Sequence, residues 1–375
     1  MKNLKIDREK VLLGVAGPVL ALVVAFLLTA LVLIVSGYNP FEPFELMFGA
    51  IGEQDVQVLI INQTGVYYLA ALAVAIGFRM NLFNIGVDGQ YRLAAMLSAV
   101  VGAHFSPPGF LHIVLIVVTA MLVGSFWAGI AGVLKVTRGV NEVVSTIMLN
   151  YIATSLIAWL TLKDQFGYQA EGSNDLTTGE ISKSGWFPGI HVSDLAGDIY
   201  GFIFVAAGVG VVYWYVLTRT RFGFDLRASG ASESAAAASG VDSKRMVLTA
   251  MLASGAVAGL AGMPVLLGQT HTYSQSFPTG VGFTGITIAL LGRNSPVGIA
   301  FAALLMAFIE KSASQLSYAT PPYPPEIADI MKGLIVLSVV ISYELVRRYG
   351  LKRQQSRVGR ELAAQAAKNR KEVSA

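Results

Sequence analysis

Long apolar runs, separated by short polar connections, dominate the pattern of this chain. Residues 11–36 carry no charged side chain and follow a basic stretch at residues 1–10. A transmembrane helix needs about 20 mostly apolar residues, so this run predicts a first membrane span. It is longer than the apolar core of a cleavable signal peptide, which predicts that the span is retained.

Nine further runs of this kind follow, so the pattern predicts an all-α transmembrane helical bundle of about ten spans. The run at residues 283–291 is too short to cross as a straight apolar helix, and a broken or re-entrant helix is the alternative there. The predicted spans after the first cover residues 56–78, 83–105, 110–134, 143–162, 200–217, 246–267, 283–291, 297–316 and 327–346.

Basic residues are concentrated at alternate connections, and this distribution predicts the orientation. Because basic loops stay on the cytoplasmic side, both termini are expected to be cytoplasmic, provided that residues 283–291 cross. The predicted organisation is a cytoplasmic N-terminus at residues 1–10, a transmembrane domain at 11–346 and a basic tail at 347–375. Within that domain, residues 163–199 form an external loop and residues 218–245 a cytoplasmic loop. The tail is expected to be attracted to anionic membrane lipid.

Composition supports the membrane class and excludes several chemistries. Hydrophobic residues make up 54% of the chain and charged residues 13%, about half of the charge that soluble domains carry. Without cysteine there are no disulfides and no Cys-ligated metals. The dipeptide Gly-Lys is absent, so the chain has no P-loop for ATP. The four histidines lack the spacing of metal ligands. No cofactor, metal, catalytic residue or nucleic acid is therefore expected on this chain.

Six polar residues inside predicted spans are candidates for lining a solute pathway. Amides in a membrane bundle more often brace helices than bind ligand, but a neutral polar solute would need such donors and acceptors. Residues 77–90 are the most polar interruption, and non-helical backbone at membrane depth requires surrounding protein or a water-filled cavity. Bracing and pathway lining both stay open for its members. The candidates are Asn62, Gln63, Asn84, Asp88, Gln90 and Asn150.

Acidic side chains are scarce in the predicted spans. Glu310 and Lys311 are adjacent, so on a helix they are not expected to face each other. Carriers driven by protons or sodium ions usually need membrane carboxylates. This scarcity therefore argues against a carrier of that type.

The cytoplasmic loop at residues 218–245 is too long for a simple turn. Its residues 232–239 have small side chains and high helix propensity, and they are bounded by Gly230 and Gly240. A short, smooth helix outside the bilayer suits docking into a groove on a soluble partner. A helical spacer between spans is the alternative.

Together, these two polar stretches resemble permeases of the ribose/branched-chain amino acid group of ABC importers, nearest to the subgroup for nucleosides and simple sugars. Residues 78–90 resemble the motif FRxGLFNIGxEGQ, with Asp88 where Glu is common. The cytoplasmic loop resembles the same family's coupling loop, with a serine near Ser232 where Asn is usual. The matching loop residues are Thr220, Gly223, Arg227, Ala228, Gly230, Ala235, Ala236 and Gly240.

The resemblance implies a transporter subunit that is not itself an enzyme. In such importers a second permease, usually a non-identical homologue, completes the pathway, and two ABC ATPase subunits carrying ATP and Mg²⁺ dock on the short helix. An extracytoplasmic binding protein, often a lipoprotein, delivers the solute. A bacterial cytoplasmic membrane is expected, with nucleosides as the first substrate class, ribose-like sugars second and branched-chain amino acids third. A stand-alone carrier or channel and an intramembrane enzyme are the alternatives.

Overall fold

The computed structural model describes residues 8–169 and 174–318 continuously. Beyond these it describes residues 323, 326–327, 329–331, 333–334, 337–338, 341–342, 345–346 and 348–349. The predicted tail at 347–375 therefore lies almost entirely outside the described residues, as do residues 1–7. The chain forms two compact units, one of residues 1–43 with 324–375 and one of residues 44–323. The first contains α1 (Arg8–Val35) and helical residues of the predicted last span.

Most of the described chain is helical. Helices α8 and α9 lie in the predicted cytoplasmic loop, and α11 is a single turn that continues into the π-helical residues Leu266–Thr270. After α1, the helices are α2 (Glu42–Gly49), α3 (Gln54–Phe78), α4 (Val87–His104), α5 (Phe110–Arg138), α6 (Glu142–Leu160), α7 (Phe202–Arg219), α8 (Arg221–Ala231), α9 (Glu233–Ala238), α10 (Ser243–Leu260), α11 (Met263–Val265), α12 (Val281–Leu291) and α13 (Pro296–Ala313).

Six helical stretches of the described chain are long and apolar enough to cross a membrane. Helix α4 occupies the position of a predicted span but is more polar, and residues Val23–Val35 and Val281–Leu291 are shorter apolar helices. A mostly helical, multi-pass chain is thus confirmed. The count of ten spans and the cytoplasmic position of both termini stay predictions. The six stretches are Gln54–Phe78, Phe110–Arg138, Glu142–Leu160, Phe202–Arg219, Ser243–Thr270 and Pro296–Leu316.

Strands interrupt the all-α architecture at one place in the described chain, inside the predicted external loop. There, β1 (Ile190–Ser193) and β2 (Gly197–Ile199) form an antiparallel hairpin. The preceding residues of the loop run beside the chain that follows α10. The Ile181 N–H donates to the His271 carbonyl at 2.9 Å, and the Phe187 N–H donates to the Leu267 carbonyl at 2.9 Å. The loop is therefore folded onto the bundle.

Small residues allow the central helices to pack with their backbones in contact. A Cβ on Gly124 of α5 would lie 2.2 Å from the carbonyl oxygen of Gly255 on α10, and a Cβ on Gly259 would lie 2.1 Å from the Ala120 carbonyl oxygen. Because lipid supplies no hydrophobic drive for helix association, such close packing is what holds membrane helices together. Any larger side chain at Gly124 or Gly259 would separate α5 from α10.

Helix α12 is the broken form of the short predicted segment. The residues of α4 that lie beside this segment show how deep in the bundle α12 begins. His271, before α12, is hydrogen-bonded to Ile181, which packs beside Gly102 near the end of α4. Gly282, in the first turn of α12, lies against Asp88 at the start of α4. At 1.5 Å per residue these two levels of α4 differ by about 21 Å. Residues 271–280 therefore descend through the bundle as irregular chain with a turn at residues 274–277, and α12 is a half-length helix that begins inside it.

Candidate functional site

The predicted pathway residues Asn84 and Gln90 form a closed pair of amides. Asn84 Nδ2 donates to Gln90 Oε1 at 3.0 Å and to Ser254 Oγ at 2.8 Å, while Gln90 Nε2 donates to Asn84 Oδ1 at 2.8 Å. Ser254 Oγ in turn donates to the Ala73 carbonyl at 2.7 Å. Both amides are buried. The pair ties the start of α4 to α3 and α10, and its polar atoms are engaged within the protein.

Asn150 makes a second set of ties at the same place. Its Nδ2 donates to the Ile85 carbonyl at 2.9 Å, and its Oδ1 accepts from the Gly89 N–H at 2.8 Å. Gly89 must be a glycine, because a Cβ there would lie 2.9 Å from Asn150 Oδ1 and 3.0 Å from Ala153 Cβ. Asn150 thus supplies partners to irregular backbone that could not reach water at this depth.

Asp88 connects the beginnings of two helices. It lies in the first turn of α4, and its Oδ1 accepts from the N–H of Gly282 in the first turn of α12 at 3.3 Å. The guanidinium of Arg92 is 4.0 Å from Asp88 Oδ2. Helix N-termini carry unpaired N–H groups and partial positive charge, which a carboxylate compensates. A Cβ on Gly282 would lie 2.4 Å from the Asp88 nitrogen, so this contact also requires glycine.

Asn62 attaches α3 to the β1–β2 hairpin. Its Nδ2 donates to the Asp198 carbonyl at 2.9 Å, and its Oδ1 accepts from the Tyr200 N–H at 2.8 Å. Burial raises the pKa of the Tyr200 phenol to about 12, with Asn62 acting in the opposite direction and Asp198 in the same direction. Asn62 therefore joins the predicted external loop to a helix of the bundle.

Gln63 belongs to a polar cluster that the sequence did not reveal. The Tyr67 hydroxyl on α3 donates to Glu310 Oε2 on α13, and Gln63 and Thr284 of α12 are close neighbours of this hydroxyl. The expectation that Glu310 and Lys311 do not face each other is wrong. Lys311 Nζ reaches back to within 3.3 Å of Glu310 Oε1, because a long flexible side chain overcomes the angular separation of neighbours.

The short helix predicted at residues 232–239 is present as α9, and its docking role stays a prediction. Its N-cap is Ser232, whose Oγ accepts from the Ala235 N–H at 3.3 Å. The helix ends at Ala238, and Gly240 follows two residues later with a φ of +81°. Since Ser and Asn are equally good N-caps, serine in place of the usual Asn keeps this helix start. Ala236 is buried whereas Ala235 is exposed. Helix α9 therefore has one inward residue and an otherwise free surface of small side chains.

Helix α8 joins α9 to the bundle. A Cβ on Gly223 would lie 2.2 Å from the Val216 carbonyl oxygen of α7. Arg227 Nη1 donates to the Leu217 carbonyl, and the Ala228 carbonyl accepts the 3.1 Å hydrogen bond that closes α8. These contacts fix α8 against the end of α7.

The two motif stretches, far apart in sequence, touch each other. A Cβ on Gly230 at the end of α8 would lie 2.2 Å from the Arg79 carbonyl oxygen, and Asn81 Nδ2 donates to the Gly230 carbonyl at 2.7 Å. Arg79 Nη2 donates to the Asn294 carbonyl at 2.7 Å, as does the Tyr213 hydroxyl at 2.9 Å. A continuous line of contacts therefore runs from α9 through α8 and the turn at residues 79–81 to the end of α12.

An aromatic contact secures the opposite side of the bundle. The rings of Trp186 and His271 are stacked, with centroids 3.7 Å apart and an interplanar angle of 7°. Burial lowers the pKa of the His271 imidazole, and Glu180 acts in the opposite direction. Among the described residues, no three His, Cys, Asp or Glu side chains come together as metal ligands would.

A family model described as a branched-chain amino acid transport system / permease component matches residues 57–340. Both motif stretches lie inside this match, which extends over most of the chain. The chain belongs to this permease family. The family resemblance inferred from the two motifs is thereby confirmed.

Three relatives of this permease are similar to it over nearly their whole lengths. It is 34% identical over 333 residues to the guanosine ABC transporter permease protein NupP of Bacillus subtilis, covering 88% of this chain and 93% of the relative. It is 33% identical over 336 residues to the nucleoside ABC transporter permease protein NupB of Lactococcus lactis, covering 87% and 90%. It is 29% identical over 363 residues to the glucose ABC transporter permease protein TsgB13 of Haloferax volcanii, covering 94% of both. The permease is thus a membrane subunit of an ABC transporter and not itself an enzyme.

Proposed function

We propose that this permease is the membrane subunit of an importer that moves a nucleoside into the cell across a bacterial cytoplasmic membrane. The observation that carries the substrate class is the full-length similarity to two relatives named for guanosine and nucleoside transport. A simple sugar is the second candidate, favoured by the similarity to a relative named for glucose transport over 94% of both chains.

The proposed topology has ten spans and both termini in the cytoplasm. Basic side chains support it, because Arg79, Arg138 and Arg293 all lie at the helix ends that would face inward. In this orientation α8 and α9 are cytoplasmic, and the β1–β2 hairpin is external. The half-length α12 crosses together with the irregular residues 271–280.

Helix α9 is the proposed docking site for one of two partner ATPase subunits, which bind ATP and Mg²⁺. Its exposed small side chains, Ala235 among them, offer a smooth surface, while Ala236 holds the helix to the permease. A second permease, a non-identical homologue, would complete the pathway, and an extracytoplasmic lipoprotein would deliver the solute to the external face.

ATP-driven movement of α9 would be transmitted through α8, and the contacts of Gly230 with residues 79–81 would carry it towards the pathway. Arg79 and Asn294 connect this line to α12, and the other end of α12 holds Thr284 beside Tyr67. Among the six candidate pathway residues we therefore assign Gln63 to the pathway. Asn62, Asn84, Asp88, Gln90 and Asn150 brace it.

Reconstitution tests the proposed function. The permease, a second permease, the ATPases and the binding protein are assembled in proteoliposomes, and uptake of labelled guanosine is measured with ATP on the ATPase side. Uptake is expected only when the ATPases and ATP are both present. Uptake without the ATPases would instead establish a stand-alone carrier or channel, and uptake of glucose but not guanosine would replace the substrate class.

A substitution pair tests the docking helix. Ala235→Trp is expected to abolish stimulation of the ATPases, because the indole would fill the surface onto which they dock, while membrane insertion is unchanged. Ala235→Ser is the matched control, since it keeps the side chain small. Wild-type uptake in the Ala235→Trp protein would contradict the assignment.

A further inference from the structure

Part of the predicted external loop is fastened along the chain that follows α10. We call residues 177–187 of this loop the strap. The Thr178 N–H donates to the Tyr273 carbonyl at 2.8 Å, and the Tyr273 N–H donates to Thr178 Oγ1 at 2.9 Å. The two backbone hydrogen bonds described above, from Ile181 and Phe187, continue this contact. One edge of the strap is therefore held by residues 267–274.

The other edge of the strap is held by the connection between α4 and α5. His112 of α5 is fully buried, and its two ring nitrogens lie 2.8 Å from Ser184 Oγ and 2.9 Å from the Gly102 carbonyl oxygen. Ser182 Oγ donates to Ser106 Oγ at 3.1 Å. The strap thus joins two parts of the bundle that are far apart in sequence, through two separate sets of contacts.

The chain on the α10 side of the strap is locally irregular. It is π-helical at Leu266–Thr270, and His271 has a φ of +53°, in the left-handed region that residues with a side chain rarely adopt. The buried Nδ1 of His271 has no hydrogen-bond partner among the described residues. Such features cost free energy and cluster at functional sites and switch regions. The cost arises where the strap is fastened to residues 267–274.

This contact also covers the chain that leads to the broken helix. Beyond it, residues 271–280 descend beside α4, where the Tyr91 hydroxyl donates to the Pro278 carbonyl. Thr178 and Tyr273 are both 0% exposed, so the closed contact excludes water. In transporters, broken helices commonly border the solute pathway. Opening this contact would therefore give access to the start of α12.

We propose that the strap is an outer gate. Its contact with residues 267–274 opens during the transport cycle, while its contact with the α4–α5 connection stays closed. This inference rests on the proposed function, which places the strap on the external side. In the open state, water reaches His271 Nδ1 and the groups released by Thr178 and Tyr273. Because hydrogen bonds within the protein are exchanged for bonds to water, their net contribution is small, and the two states are close enough in free energy to interconvert.

A reversible cross-link tests whether this contact must open. The chain has no cysteine, so an introduced pair is the only one in the permease. Thr177 and Ser274 form an antiparallel bridge, and the Cα atoms of such pairs are about 4.5–5.5 Å apart, which suits a disulfide. Permease carrying Thr177→Cys and Ser274→Cys is purified, and half of it is oxidised before assembly with its partner subunits. Guanosine uptake by the oxidised half is expected to be at least about tenfold lower than by the reduced half, because the open state is no longer available.

The matched control locks the other edge of the strap. Ser106→Cys with Ser182→Cys joins side chains whose hydroxyl oxygens are 3.1 Å apart, and its oxidised half is expected to keep the uptake of its reduced half. Mass spectrometry of free thiols establishes that each disulfide has formed. Equal uptake in both halves of the Thr177–Ser274 pair would overturn the inference. An equal loss in the two cross-linked pairs would also overturn it, because the strap would then have to move as a whole.

Thiol labelling is a second measurement that needs no disulfide. Thr178→Cys places a thiol at a position with 0% exposure, which a membrane-impermeant maleimide on the external side reaches only when the contact opens. In the assembled importer, ATP is expected to accelerate this labelling about tenfold, as the open state rises from a minor to a major population. Thr161→Cys, equally buried at the end of α6, is the control and should show no acceleration. The same rate with and without ATP at Thr178→Cys contradicts the gate.

The two measurements separate the gate from the proposed function. ATP-dependent labelling of Thr178→Cys in an importer that moves no nucleoside would overturn the proposed substrate class and support the gate. Nucleoside uptake that the Thr177–Ser274 disulfide leaves unchanged would overturn the gate alone.

Discussion

If α8 and α9 face the ATPases as proposed, adding one methyl group at Gly230 should disconnect these helices from the transport pathway. The Cβ of Gly230→Ala would lie 2.2 Å from the Arg79 carbonyl oxygen and 2.8 Å from the Met80 Cα. The first distance is about 1 Å short of the ~3.3 Å at which carbon and oxygen ordinarily meet. Since both atoms are backbone, neither can rotate away. Helix α8 must therefore move from the turn, which lengthens the hydrogen bond from Asn81 Nδ2 to the Gly230 carbonyl.

Two opposing contributions set the size of this effect. Alanine is favoured over glycine within a helix by about 1 kcal/mol, whereas overpacking costs about 1–3 kcal/mol. The net change in the free energy of unfolding is therefore small, from about zero to about 2 kcal/mol of destabilisation. The effect on coupling should be clearer, because each kcal/mol lost at the contact changes an equilibrium about fivefold.

The assay is the number of guanosine molecules taken up per ATP hydrolysed in the reconstituted importer. Gly230→Ala is expected to lower this ratio about fivefold or more while ATP hydrolysis continues. The matched control is Gly208→Ala in α7, where an added Cβ meets no atom within 4 Å. That variant should behave as wild type. A wild-type uptake ratio in folded Gly230→Ala protein would show that the contact with residues 79–80 carries no coupling.

Three further predictions concern the bracing contacts, each measured by thermal unfolding of purified protein. Asn84→Leu removes four hydrogen bonds and should destabilise by roughly 2 kcal/mol, at roughly 0.6 kcal/mol per bond in a membrane; an unchanged Tm would contradict bracing. Asp88→Asn should lower the free energy of unfolding by about 1–2 kcal/mol, because it removes negative charge at two helix starts. Asp55→Asn, at the start of α3 alone, should lower it less, and equal losses in the two variants would refute the role of Asp88 at two helices. Because burial lowers the His271 pKa below its ordinary 6.5, the neutral ring contributes stability above pH 6.5 that is lost as pH falls through the folded pKa. His271→Phe should lose this pH dependence, and an unchanged profile would count against it.

Several features of the site were predictable because they depend on local sequence. Helix α9 follows from small residues between a capping serine and Gly240, which needs only propensity and capping. The polar residues at 77–90 were recognised as irregular because Asn and Gly break helices. Their role was not predictable, since bracing and pathway lining use the same amides. Only the tertiary structure shows that these amides bond to Ser254 and to the Ile85 carbonyl within the protein.

By itself, the sequence determined the membrane class, the positions of most helices, the short helix α9 and the permease family, because these depend on runs of neighbouring residues. The tertiary structure decided which distant residues meet. The contact of Gly230 with the turn at residues 79–81 is invisible to any local pattern. So is the Tyr67–Glu310 hydrogen bond, which joins helices separated by more than half of the chain. The half-length form of α12 was likewise fixed only by packing, because a short apolar run satisfies a straight or a broken helix equally until its neighbours set its depth.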